Sequence, residues 1–272
     1  MHQPQPTTLA IVKPPPARIS RAPLRHVEYE FTSPQIKNSP NIRWNKVWLP
    51  LALVIAGCLV LPADLWLARW SLANNCPDPL DKWLRLSEVF AHGLGVIAIL
   101  ATVAVLDPAR RVHLPRLIVA TLGTGLAANG CKLLVARVRP HSFTFDGGPA
   151  DTFYQWFPWF NYGSQFQGFP SAHMATAVGL AIGLAWLYPR GRFLFVLLAI
   201  SAGGQRIVSG DHFASDVVWG AALGCFCATG LFDGGLLAGL CDRLERRWRP
   251  IESVASEILV WKRRDNHWVE ST

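Results

Sequence analysis

Apolar runs approaching the ~20 residues that a bilayer-spanning helix needs recur through most of this chain. A length of 272 residues would allow one or two soluble domains. The composition points elsewhere: 51% of residues are hydrophobic and only 16% charged, with 12 Trp and 22 Gly, and the mean hydropathy is positive. An all-α fold follows, a polytopic membrane helical bundle. Six transmembrane helices are expected over about 44–70, 83–106, 114–138, 171–188, 193–208 and 213–232. Tryptophans at both ends of the first run serve as interface anchors. Gly179-x3-Gly183 and Gly220-x3-Gly224 offer small faces for close helix packing.

The remaining segments are read mainly by exclusion. Residues 1–43 hold eight prolines and scattered Lys and Arg, which leaves no helical periodicity, so a disordered tail is expected. The first 46 residues contain no apolar core of a cleavable signal peptide. The six cysteines fall mostly in apolar runs and form no disulfide framework. A net charge of +8 raises nucleic acid as a partner, but the basic residues sit in tails and short loops, as cytoplasmic loops of membrane proteins do. No nucleic-acid partner is expected. Glu88 and His92, four apart, are too few for a metal site. Asp64 and Arg69 lie near the far end of the first span, within reach of headgroups. Residues 241–272 mix arginines and acids with an apolar stripe, which fits a cytoplasmic tail with an interfacial helix.

Charge is costly beside a membrane span unless it is paired, so ionisable residues there mark function by default. One stretch concentrates them between two apolar runs: Arg206, Asp211, His212 and Asp216. His212 and Asp216 are four apart, so a helix would place them on one face. A structural ion-pair cluster would also account for these charges. With the N-terminus in the cytoplasm, alternating spans place most loop arginines inside, and bring two further clusters to the same external face. In the first, Lys132 and Arg139 are two helical turns apart, and Pro140 ends the helix. In the second, Pro170-Ser171-Ala172-His173 opens the fourth span, and a helix N-terminus favours anions. Asp211 gains no chemical role and reads as a helix-start residue. The aromatics of 153–160 form either a headgroup-level belt or an apolar rim that admits a lipid tail.

Three cations, a helix N-terminus, two histidines and a carboxylate meet the needs of phosphoryl transfer. Lys132, Arg139 and Arg206 would neutralise phosphate oxygens. One histidine would attack phosphorus and the other protonate the leaving oxygen, with Asp216 orienting the attacker as in a catalytic triad. No metal or cofactor is called for, and no Walker-type loop is present.

Lys132-x6-Arg139-Pro140, Pro170-Ser171-Ala172-His173 and Arg206-x5-His212-x3-Asp216 together resemble the three-part signature of the type 2 phosphatidic acid phosphatase family. That family shares its site with vanadium haloperoxidases. The likeness covers about 114–233, within a six-helix membrane domain expected over 44–240. It implies that His212 is the nucleophile, Asp216 its partner and His173 the general acid and later base. Lys132, Arg139, Ser171, Arg206 and the amide of Ala172 would bind phosphate. Ala172 replaces the family's usual glycine and Gln205 its usual serine; neither change removes a catalytic group. The resemblance implies an inner-membrane enzyme, both termini cytoplasmic, that hydrolyses a lipid phosphate or diphosphate at the external face. Substrates of the undecaprenyl diphosphate, phosphatidic acid or phosphatidylglycerol phosphate type come into question. A phosphotransferase working through the same phosphohistidine, or a non-enzymatic membrane scaffold, are the alternatives.

Overall fold

The computed structural model describes residues 45–159, 163–232 and 234–248; the proline-rich 1–43 segment and residues 249–272 lie outside them. The described chain is mostly helical. Helix α1 (Asn45–Val60) runs through a short 3-10 turn at Leu61–Ala63 into α2 (Asp64–Leu72). Pro62 lacks an amide hydrogen, and the tighter turn accommodates it. Together they make an apolar rod over Val47–Leu72.

The second expected span is not one helix. It divides into α3 (Asp78–Ser87) and α4 (Gly93–Leu106), bent by 63° at a break around Glu88–His92. The backbone turns so closely there that a Cβ on Gly95 would sit 1.9 Å from the Val89 carbonyl oxygen. Only a glycine permits that approach.

Helix α5 (Leu114–Cys131) stops seven residues before the expected end at 138. The chain then extends into β1 (Val135–Arg137), paired antiparallel with β2 (Phe153–Trp156). Two local reasons favour the strand. Val135 and Val138 are β-branched, and Pro140 restrains Arg139 to extended backbone at φ −80°, ψ 151°. Lys132 and Arg139 are therefore not on one helical face. They flank strand β1 in the chain.

Helix α6 (Ala172–Leu187) is the central element and packs on α5, α7 (Arg192–Val208) and α8 (Ala214–Phe232). The two small faces read from the sequence serve this packing. A Cβ on Gly179 would stand 2.2 Å from the Ala120 carbonyl oxygen of α5, and one on Gly220 would stand 2.5 Å from that of Ser171. Val96, Leu100, Leu117, Leu180, Leu184 and Ala202 fill the core between α4, α5, α6 and α7. Large apolar side chains such as Leu59, Leu94, Ile97, Val105, Leu126 and Phe193 face outward. Exposed apolar surface on this scale suits lipid rather than water.

Three helical stretches are long and apolar enough to cross a membrane: Val47–Leu72, Pro189–Val208 and Ala214–Phe232; the bent α3–α4 pair makes a fourth. Of the six expected spans, α5 and α6 fall outside that test. Helix α6 has 16 residues. Helix α5 carries Arg116, Thr121, Thr124 and Asn129. Helix α6 is largely buried among its neighbours, whereas α5 keeps one apolar face outward at Val119, Leu122 and Leu126.

Helix α9 (Leu236–Trp248) begins before the tail expected at 241. Arg116 of α5 pairs with its Asp242 and, at 2.7 Å, with Glu245; His113 meets Glu245 at 2.9 Å. Ion pairs thus fasten this helix to the start of α5.

Candidate active site

Arg137 is the largest fully buried side chain among the described residues. As the last residue of β1 it points inward, between two carboxylates. One terminal nitrogen donates to Asp64 at 2.7 Å, and the other donates to Asp216 and, at 2.7 Å, to the Ser215 hydroxyl. Its Nε donates to Thr152 at 3.0 Å. The rings of Phe153 and Phe213 lie over the guanidinium, 4.4 and 4.6 Å from its carbon. Asp64 also accepts from the Ser215 amide at 2.9 Å and from the Ser215 hydroxyl. Asp64 is thus a fully buried ion-pair partner, not a headgroup contact. A charge buried in this way is tolerable only when every donor and acceptor is matched.

Asp216 is placed differently from the expected triad carboxylate. One oxygen belongs to Arg137; the other accepts the Phe213 amide at 2.9 Å. That second oxygen is 3.9 Å from His212 Nδ1, beyond hydrogen-bonding range. The imidazole is held instead by the Gly168 carbonyl, 2.7 Å from Nδ1. A carbonyl can only accept, so Nδ1 carries the proton and Nε2 keeps its lone pair. Asp216 acts on His212 through the local backbone and through its charge. Burial lowers the His212 pKa against the opposing pull of Asp216, so the ring is neutral at physiological pH.

The cations of the three motifs meet around this histidine. Arg206, near the C-terminus of α7, donates to Asp211 at 2.6 Å, to Glu88 at 3.1 Å and to the Gln205 side chain at 3.2 Å. Arg139 reaches the other oxygen of Asp211 at 3.5 Å. The Ser209 hydroxyl donates to Asp211 at 2.7 Å. Burial would raise the Asp211 pKa, but Ser209, Arg206 and Arg139 together hold it below the usual carboxylate value. The Nε–H groups of Arg139 and Arg206 are buried without an acceptor among the described residues. Buried donors are nearly always paired, so both leave donor capacity that the described residues do not fill.

Lys132 sits just past the end of α5. Burial, and then the charge of Arg139, push its pKa down to about 8. It has no ion-pair partner among the described residues. Ser171 caps α6 by accepting the Met174 amide at 3.4 Å, and its own amide donates to the Asp216 carbonyl at 3.0 Å. Ala172, the first residue of α6, has an amide with no intrahelical acceptor. His173 follows it, acted on by the charges of Arg206, His212 and Lys132.

All eight residues singled out in the sequence therefore border one region, at the start of α6 and the α7–α8 junction. Arg137, Asp64, Glu88 and Gly168 were not assigned to it. Asp64 was the findable one, since an ionisable residue in an apolar run is a flag in itself. Glu88, four residues from His92, proves to be an arginine partner. Phe153 and Phe169 are built into the site's flank, and Phe169 packs on Trp219 of α8. Tyr154, Trp156, Phe157 and Trp159 remain exposed.

Comparison with known proteins finds likenesses that fall on the part of the chain bearing this site. Residues 114–234 match the model of the PAP2 superfamily, the segment that carries the three motifs. Among curated proteins it is similar to a lipid A 1-phosphatase of Rhizobium johnstonii, 36% identical over 103 residues, covering 38% of this chain and 40% of that one. A lipid A 1-phosphatase of Rhizobium etli is 36% identical over 101 residues, covering 37% and 41%. The chain thus spans about two-fifths of the length of these relatives. No solved structure matches it.

Two outcomes follow from this geometry. Arg137→Met removes the one cation between two buried carboxylates and should destabilise the fold by about 3–5 kcal/mol. Denaturation of the detergent-solubilised protein reads this directly, and a wild-type midpoint would refute the buried triad. The second outcome is a pH profile. His212, with its lowered pKa, is already neutral at pH 6.5, so the acid limb of kcat/KM should lie below that value. Lys132 loses its charge as pH rises through about 8, so activity should fall above pH 8. Lys132→Arg should move that alkaline limb upward by more than one pH unit; an unmoved limb assigns it to another group.

Proposed function

We propose that this chain is an integral membrane phosphatase that hydrolyses a lipid phosphate or diphosphate through a phosphohistidine on His212. The observation that carries this reading is the His212 ring. Its Nδ1 proton is fixed on the Gly168 carbonyl, which leaves the Nε2 lone pair available, beside two arginines with buried, unpaired Nε–H groups. A neutral, oriented imidazole next to surplus cations is a nucleophile facing an anion site.

The Nε2 lone pair attacks phosphorus while Lys132, Arg139, Arg206 and the Ala172 amide hold the non-bridging oxygens. The bond from phosphorus to the leaving oxygen breaks, and His173 gives that oxygen a proton. Water then attacks the phosphohistidine, His173 takes its proton, and the P–N bond breaks to release inorganic phosphate. Negative charge grows on the equatorial oxygens in both steps, and fixed cations act there without reorganising. No metal has a part in this sequence.

The chain spans the inner membrane six times in this reading. The bent α3–α4 pair counts as one crossing, and α5 and α6 make two more. Both termini are cytoplasmic and the site opens at the external face, an orientation supported by the loop arginines. The relatives' names make a lipid A 1-phosphate a leading substrate, beside undecaprenyl diphosphate, phosphatidic acid and phosphatidylglycerol phosphate.

A phosphate-release screen over these lipids, with purified protein in detergent and chelator present, tests the proposal. At least one lipid should be hydrolysed, orthovanadate should inhibit as a mimic of five-coordinate phosphorus, and His212→Ala should lose at least about a thousandfold in kcat. Release that a chelator abolishes, or that survives in His212→Ala, would sink it.

A further inference from the structure

Asp211 is an ionised group of the site that the proposed mechanism does not use. It is also the best-connected. Its carboxylate lies across both arginines of the phosphate site, 2.6 Å from a terminal nitrogen of Arg206 and 3.5 Å from one of Arg139, and it accepts the Ser209 hydroxyl at 2.7 Å. Glu88 leans on Arg206 from the α3–α4 break, but touches neither Arg139 nor Ser209. Two of three cations are thus partly neutralised in advance by a residue next to the nucleophile. Gly210, at φ +72°, makes the tight turn that sets Asp211 there.

A fixed carboxylate at an anion site carries a definite cost. It repels an incoming phosphate, and it occupies guanidinium nitrogens that would otherwise donate to phosphate oxygens. The repulsion grows with the ligand's charge, so it weighs more on a diphosphate than on a single phosphoryl group. Resting on the phosphatase reading above, we propose that Asp211 is a built-in counter-ion of the site. It leaves charge and donors for one phosphoryl group, and so selects phosphomonoesters over diphosphates. It acts through Arg139 and Arg206, and is a positioning residue rather than a catalytic one.

The test separates charge from structure by measuring equilibrium binding of inorganic phosphate and pyrophosphate. Titration calorimetry on the full-length His212→Ala protein in detergent avoids turnover. That background should bind phosphate more tightly than pyrophosphate. Adding Asp211→Asn should strengthen pyrophosphate binding by about tenfold more than phosphate binding, whereas Asp211→Glu, which keeps the charge, should restore the background ratio. Tighter binding of pyrophosphate by the background protein would overturn the proposal, and that comparison needs no Asp211 variant to fold. So would an Asp211→Asn effect that is absent or equal for both ligands. In the turnover arm, Asp211→Asn in the otherwise wild-type protein should lower the monophosphate-to-diphosphate ratio of kcat/KM by about tenfold. Wild-type protein that hydrolyses no lipid phosphate would remove the phosphatase reading, while the binding arm still decides the role of Asp211.

Discussion

The ion cluster of Arg137 with Asp64 and Asp216 is the constraint from which the rest of the site takes its position. It joins three parts of the chain that are far apart in sequence: the second half of the first apolar rod, the strand after α5, and the start of α8. A single cation between two carboxylates leaves a surplus negative charge, spread over hydrogen bonds from Ser215 and the Phe213 amide. Desolvating these groups costs several kcal/mol each, and only near-complete pairing offsets it. The cluster therefore contributes less to net stability than to uniqueness, because any other arrangement of the three elements would strand a buried charge. Asp64, the first residue of α2, lies outside the segment matched by the family model, so α2 braces that segment from beyond its bounds.

Above that anchor, the site sorts its charges by role. Asp216 spends both oxygens on the scaffold, and a backbone carbonyl rather than a carboxylate fixes the imidazole. A neutral acceptor orients the ring and selects its tautomer without adding negative charge beside it. The carboxylates nearest the motif arginines are Asp211 and Glu88, and both pair with them. Lys132, without an ion-pair partner among the described residues, contributes an undiluted positive charge.

The legible and the illegible parts of this molecule differ in physical kind. Spacing identified His212, His173, Arg206, Lys132 and Arg139 as residues that meet, because motif order and alternating spans survive changes in local geometry. The glycine pairs also read correctly, since a missing side chain on one helix face has few uses besides close packing. Helix continuity did not read: the 83–106 run is apolar enough for one span, yet it breaks at Glu88–His92, where Glu88 pairs with Arg206. The 132–139 segment looked helical by its spacing, but Arg137 gains two carboxylates only if the chain extends. In each case a tertiary ion pair outweighed a local preference. Asp216 shows the same limit, since its helical spacing from His212 says nothing of a competing arginine.

The most direct measurement is chemical: quench the protein during turnover of a lipid carrying radiolabelled phosphate, and map the acid-labile label. Label on the imidazole of His212, absent from His212→Ala, is the expected result. Label on another residue, or none on the protein while phosphate is being released, would contradict the assignment of His212 as the nucleophile.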